Sequence, residues 1–134
     1  MSETASEPVD APRVLVIDDA SLVRMYYRSA LERAGFVVDE ALNGIEGLER
    51  VLTTTYDLLV VDVNMPKMDG FSFLHTLRGR EPMVRSIPVL MTSTEAGDGD
   101  REAARAVGAN FYLVKPLPEG VLVAYARALA GRRP

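Results

Sequence analysis

Leu58-Leu59-Val60-Val61, with Asp62 directly after it, is the stretch on which the fold reading turns. Consecutive large apolar residues without alternation describe a strand covered on both faces, as in parallel sheets packed between helices. Comparable runs recur along the chain: Val14-Leu15-Val16-Ile17, Phe36-Val37-Val38, Ile87 to Met91, and Phe111-Tyr112-Leu113-Val114. Helical patterns separate them. Leu22, Tyr26, Ala30 and Ala34 recur at fourfold spacing, widened by Val23, Tyr27 and Leu31, with Gly35 as the stop signal. Ile45, Leu48 and Leu52 form a second stripe, and Phe71, Leu74 and Leu77 a third. A fourth segment, Asp100 to Val107, offers mostly alanines and one valine, and a fifth, Glu119 to Ala130, aligns Leu122, Tyr125 and Leu129.

Five strands interleaved with five helices imply an open, doubly wound α/β fold. Right-handed crossovers then put every strand's carboxyl end on one edge of the sheet, where such folds keep their ligand chemistry. The chain's 134 residues suit one domain. Residues 1–12 read as a flexible acidic tail with too few large apolar groups to pack, and 13–131 as the folded domain, with no output domain after it. The formal net charge of -4 argues against a broad nucleic-acid-binding face. The absence of cysteine excludes disulfides and thiolate metal sites. No leader pattern is present, and no apolar run approaches the ~20 residues needed to span a bilayer. The expectation is a soluble, cytoplasmic monomer with no membrane partner.

The residues that follow the strands carry the chemistry. Strand one runs into Asp18-Asp19, strand three into Asp62, strand four into Ser93, and strand five into Lys115-Pro116. Taken singly these are weak signals: a polar turn, a helix cap or a plain loop explains each. Together they would gather three carboxylates, a hydroxyl and an ammonium at one edge. Clustered carboxylates repel unless a cation neutralises them. Oxygen donors without nearby His or Cys favour a hard ion such as Mg²⁺. A lysine adds a point charge suited to phosphate oxygens. A carboxylate nucleophile, a divalent ion and a lysine describe acceptance of a phosphoryl group as an acyl phosphate.

Four segments carry a family resemblance: Val14-Leu15-Val16-Ile17-Asp18-Asp19; Asp62-Val63-Asn64-Met65-Pro66-Lys67-Met68-Asp69-Gly70; Pro88-Val89-Leu90-Met91-Thr92-Ser93; and Tyr112-Leu113-Val114-Lys115-Pro116. In order and spacing they resemble the receiver domains of bacterial two-component response regulators, most closely the single-domain chemotaxis type. The resemblance implies a (βα)5 flavodoxin-like, or CheY-like, fold with five parallel strands in the order 2-1-3-4-5. It implies Asp62 as phosphoacceptor, Asp19 as a direct Mg²⁺ ligand, Asp18 as one acting through water, and Asn64 as a backbone-carbonyl ligand. Lys115 would pair with phosphoryl oxygens, across a cis bond to Pro116. Ser93 would bond the incoming group, and Tyr112 would be the aromatic switch that turns inward. Serine stands where threonine is commoner; Thr92 is a tempting substitute, but strand alternation and the interval from Pro88 favour Ser93.

The resemblance further implies a phosphoryl donor, either a sensor histidine kinase or a phosphotransfer protein. It implies a downstream target protein read through the face made by the fourth helical segment, strand five and the fifth helical segment. The chain would be a stand-alone signalling phosphoacceptor in chemotaxis or a similar phosphorelay. It would not be an enzyme beyond its own phosphorylation and dephosphorylation. Two rivals remain: a phosphorylation-independent receiver-like adaptor, and a small aspartyl-nucleophile phosphatase. The second is suggested by Asp62-Val63-Asn64 but opposed by Asn64, which cannot donate a proton as a general acid. His75, the single histidine, reads as a surface residue of the third helix.

Overall fold

Strand alternation divides the core into two halves, one on each face of a parallel sheet. In the computed structural model, which describes residues 11–130, the strands are β1 (Arg13–Ile17), β2 (Val37–Ala41), β3 (Leu58–Asp62), β4 (Val89–Ser93) and β5 (Phe111–Val114). All four pairings are parallel, in the order β2-β1-β3-β4-β5, as expected. Residues 1–10 of the proposed acidic tail, and the chain end from 131, lie outside the described residues.

The helices are α1 (Ser21–Arg33), α2 (Gly44–Thr53), α3 (Gly70–Arg78), α4 (Pro82–Arg85), α5 (Asp98–Ala106) and α6 (Glu119–Ala130). Val14, Val16, Leu58, Val60 and Leu90 face α1 and α6, meeting Tyr27, Ala30, Leu31, Leu122 and Ala126. Leu15, Ile17, Leu59, Val61, Val89 and Met91 face the other way, toward Val51 of α2, Phe73, Leu74 and Leu77 of α3, and Ala104 of α5. β3 and β4 are buried along their whole lengths, which is why their sequences carry no polar alternation.

Several sequence-based expectations need correction. On α1 the core contacts are Tyr27, Ala30 and Leu31, whereas Leu22 is 76% and Tyr26 41% exposed. The first turn of α1 leaves the carboxyl edge of β1, where strands no longer lie beneath it. On α2, Ile45 and Leu52 are exposed and the buried residues are Gly44, Gly47 and Val51. A Cβ added at Gly47 would stand 2.6 Å from Ile17 Cδ1, so glycine is what lets this helix lie close to the sheet. Leu48 of the expected stripe still packs half-buried against the core, while Ile45 and Leu52 fall one position from the buried Gly44 and Val51. β2 runs on through Asp39 and Glu40, which an edge strand can present to solvent and to neighbouring arginines. β4 begins after Pro88, which has no N–H to give to the ladder but whose carbonyl accepts from Leu59 N at 3.0 Å. The one-turn helix α4 was not anticipated; Pro82 at its start supplies the preset φ of a first helical residue. The long fourth and fifth helices are thus α5 and α6. The alanines and the valine of the fourth helical segment anchor α5 only in part: Ala104 is buried and Val107 partly so, while Ala103 and Ala106 face solvent.

Candidate functional site

The carboxyl ends of β1, β3 and β5 converge. Asp18 follows β1 and is 1% exposed; Asp62 ends β3 and is 5% exposed; Asp19 lies open to solvent beside them. One carboxylate oxygen from each of Asp18, Asp19 and Asp62 lies within 4.8 Å of the others. Lys115, just past β5, places Nζ 2.9 Å from Asp18 Oδ2 and 3.0 Å from Asp62 Oδ1. Backbone bonds carry the sheet order into the loops: Val63 N donates to Thr92 O at 2.9 Å, and Lys115 N to Ser93 O at 2.7 Å. The Lys115–Pro116 bond is cis, as expected. Gly70 opens α3 against this region so tightly that a Cβ there would lie 2.5 Å from Asp62 O.

Burial pushes the Asp62 carboxyl above its ordinary range; the hydrogen bond from Lys115 opposes this, and the Asp18 and Asp19 charges add to it. Lys115 is also desolvated, which lowers its pKa. Its bonds to Asp18 and Asp62 outweigh that, and the net shift is upward. One ammonium shared between buried carboxylates leaves an excess of negative charge beside the exposed Asp19. The donor set is all oxygen, with Asn64 in the adjoining loop, so the cluster is compatible with a hard divalent cation. With such a counter-charge, Asp62 could attack an electrophile arriving from the solvent side.

Ser93 ends β4, fully buried, and its Oγ accepts from Glu95 N at 3.0 Å. Tyr112 is 7% exposed and donates through its hydroxyl to Glu95 O at 2.6 Å. The tyrosine ring is therefore buried here, and the Glu95 peptide links it to Ser93. Arg101 of α5 stacks over the Tyr112 ring at 5.5 Å from its centroid and donates to its carbonyl at 3.1 Å. His75 is exposed on α3, away from the cluster.

Sequence reasoning gave no site role to three side chains near the cluster: Tyr27 and Arg24 were missed, and Thr92 was set aside in favour of Ser93. Tyr27 of α1 is buried beneath it, and burial pushes its phenol up to about 12, with Lys115 opposing and the charge of Asp18 adding to the rise. Thr92 lies in register with Asp62, and its buried hydroxyl lies beside the Tyr27 phenol and works against the upward shift there. Arg24 of α1 donates from Nη1 to Asp18 O at 2.7 Å. Nothing in residue type or spacing marks Tyr27 or Arg24.

The sequence profile described as the response regulator receiver domain matches residues 14–127. The chain is 41% identical over 125 residues to the transcriptional regulatory protein PrrA of Mycobacterium leprae, covering 93% of this chain and 52% of that protein. It thus spans about half the length of that relative. Among solved structures it resembles the chemotaxis response regulator CheY4 of Vibrio cholerae, with a TM-score of 0.84 and 32% identity over 89% of this chain and 98% of that one. A putative response regulator from Chloroflexus aurantiacus superposes with a TM-score of 0.85 at 29% identity, over 91% of this chain and 99% of that one.

Proposed function

The chain belongs to the response-regulator receiver family, and from that premise we propose that it takes a phosphoryl group onto Asp62 and signals by changing what its α5–β5–α6 face binds. The donor is a phosphohistidine on a sensor histidine kinase or a phosphotransfer protein. A bond forms from an Asp62 oxygen to phosphorus as the phosphorus–nitrogen bond to the donor imidazole breaks. The observation that carries this reading is the single Lys115 ammonium bonded to both Asp18 and Asp62 within a cluster of three carboxylates. Lys115 is placed to follow the charge from the Asp62 oxygen onto the phosphoryl oxygens. A Mg²⁺ ion held by Asp18, Asp19, Asp62 and the backbone carbonyl of Asn64 would supply the remaining positive charge. The protein's own chemistry is confined to its phosphorylation and dephosphorylation, with no separate substrate.

Phosphorylation adds roughly two negative charges and three acceptor oxygens at Asp62. Ser93 can turn its O–H toward those oxygens, giving up the Glu95 amide. Because Glu95 also accepts from Tyr112, the same peptide carries the change to β5 and to the start of α5. α5's apolar anchors are little more than Ala104 and Val107, with the Arg101 bond to Tyr112 O beside them, so a few kcal/mol of bias suffices to move it. The likeness to a chemotaxis regulator favours chemotaxis or a similar phosphorelay. A cytoplasmic setting suits the donor, and no helix among the described residues is long and apolar enough to cross a membrane.

Incubation with acetyl phosphate and Mg²⁺ followed by intact mass tests the assignment. The wild type should gain one phosphoryl group, and Asp62→Asn or added EDTA should prevent it. Uptake by Asp62→Asn would refute Asp62 as the acceptor. Partner capture that ignores beryllofluoride would favour a constitutive adaptor.

A further inference from the structure

The turn between β1 and α1 carries two of the three clustered carboxylates, and its shape decides where both point. Asp18's side chain is committed twice: Oδ2 to Lys115 at 2.9 Å and Oδ1 to Ala20 N at 2.9 Å. Asp19's carboxylate has no such tether in the site, so its place depends on the peptide that joins it to Asp18. That peptide's carbonyl accepts from Arg24 Nη1 at 2.7 Å. Arg24 Nε in turn reaches Glu40 Oε1 on β2 at 2.8 Å, and Glu40 Oε2 takes Arg28 Nη1 at 2.7 Å. The Arg24 side chain is only 11% exposed. A planar guanidinium is thus fixed at one end by the sheet and at the other by the acidic turn, a geometry that a flexible ammonium would not reproduce.

We propose that Arg24 is a positioning residue for the cation site: anchored on Glu40, it holds the Asp18–Asp19 peptide so that Asp19's carboxylate stays beside those of Asp18 and Asp62. This rests on reading the acidic cluster as a divalent-cation site. An ordinary ion pair between α1 and β2 would use Arg24 for stability alone and leave cation binding untouched. Electrostatics gives a second contrast. Arg24 carries positive charge close to the cluster, so removing it should tighten cation binding if charge alone mattered. Positioning predicts the opposite sign.

The test is Mg²⁺ titration of ¹⁵N-labelled protein, following the backbone amides of Asp19 and Asn64. It is paired with the rate of acetyl phosphate labelling at low and at saturating Mg²⁺. Arg24→Gln should weaken Mg²⁺ binding roughly tenfold, the lower end of what loss of a ligand-orienting partner costs. Its labelling should be slow at low Mg²⁺ and recover in part at saturation, because Asp62 and Lys115 are intact. Arg24→Lys keeps the charge without the fork, and should bind Mg²⁺ more weakly than wild type and more tightly than Arg24→Gln. If Arg24→Gln does not fold, the lysine variant decides: weaker binding supports positioning, and unchanged binding overturns it. Unchanged or tighter Mg²⁺ binding by Arg24→Gln overturns it likewise. If the wild-type amides do not respond to Mg²⁺ at all, the cation-site reading itself falls, and the Arg24 proposal with it.

Discussion

Lys115→Met removes a cation that touches both buried carboxylates while keeping most of the side-chain volume. Asp18 and Asp62 are 1% and 6% exposed at their side chains, and Lys115 is 16% exposed, so the pairing is largely shielded from water. Removing one partner of a buried ion pair costs about 3–5 kcal/mol, because the other charge is left uncompensated. The open side of the site at Asp19 puts the expected loss at the low end, about 3 kcal/mol, or roughly 10 °C in Tm for a domain of this size. Circular dichroism melts in EDTA would measure it. Lys115's pKa is raised above 10.5 in the folded state. Its contribution is therefore complete below that value and lost only as pH climbs through the folded pKa, so neutral pH shows the full effect. Asp62's pKa is raised above 3.8, so its ionisation opposes folding; that cost is absent below 3.8 and grows as pH rises through the folded value. The variant's deficit should accordingly shrink on acidification. It should also shrink in Mg²⁺, since the ion replaces the missing charge, and the Mg²⁺-induced rise in Tm should exceed that of the wild type. Equal Mg²⁺ responses in the two proteins, or equal stability in EDTA, would refute the view that Lys115 and a cation neutralise the same carboxylates.

Other substitutions probe the surrounding shell. Gly70→Ala would force a Cβ to 2.5 Å from Asp62 O and 2.9 Å from Val63 Cα. These are backbone atoms that cannot step aside, so a loss of about 1–3 kcal/mol in urea unfolding is expected, with slower acetyl phosphate labelling as α3 is pushed off the acceptor strand. Ser93→Ala should leave labelling of Asp62 possible but uncouple Tyr112: the ring signals of Tyr112, followed by NMR, should no longer shift on adding beryllofluoride. A wild-type-sized shift would show that Ser93 is not the link. Thr92→Val replaces a fully buried hydroxyl that lies beside the Tyr27 phenol with an isosteric methyl. Losing that contact should cost about 1 kcal/mol in chemical denaturation, and an unchanged midpoint would mean that the two hydroxyls do not bond.

The sheet was legible because its central strands are buried on both faces. Leu58 to Val61 had no reason to carry polar residues, and a run of that kind has few other homes than a covered parallel sheet. Legibility faded where burial is one-sided or made by small residues. β2, at the edge, mixes Asp39 and Glu40 into its strand, and only the apolar start of the segment stood out. α2 meets the sheet through Gly44 and Gly47, residues that contribute nothing to a hydrophobic stripe yet set the distance of closest approach. Leu22 and Tyr26 fit the helical period of α1 but are exposed, the Tyr26 hydroxyl reaching Leu117 O at 2.9 Å, since periodicity reports a face and not what stands opposite it.

The same distinction separates the parts of the candidate site. Asp18, Asp62, Ser93 and Lys115 each lie at or just past the carboxyl end of a strand, so the topology alone gathers them, whatever their side chains then do. Arg24 and Tyr27 approach from a helix, and which of α1's residues reach the cluster depends on how that helix rotates over the sheet. Its mixed periodicity left that rotation open. Glu95 is harder still. It joins Ser93 to Tyr112 through its amide and its carbonyl, groups that every residue but proline carries, so its side chain holds no trace of the role. It follows that substitutions at Glu95 other than proline should leave the link between Ser93 and Tyr112 intact. Only a change in the local path of the backbone should break it.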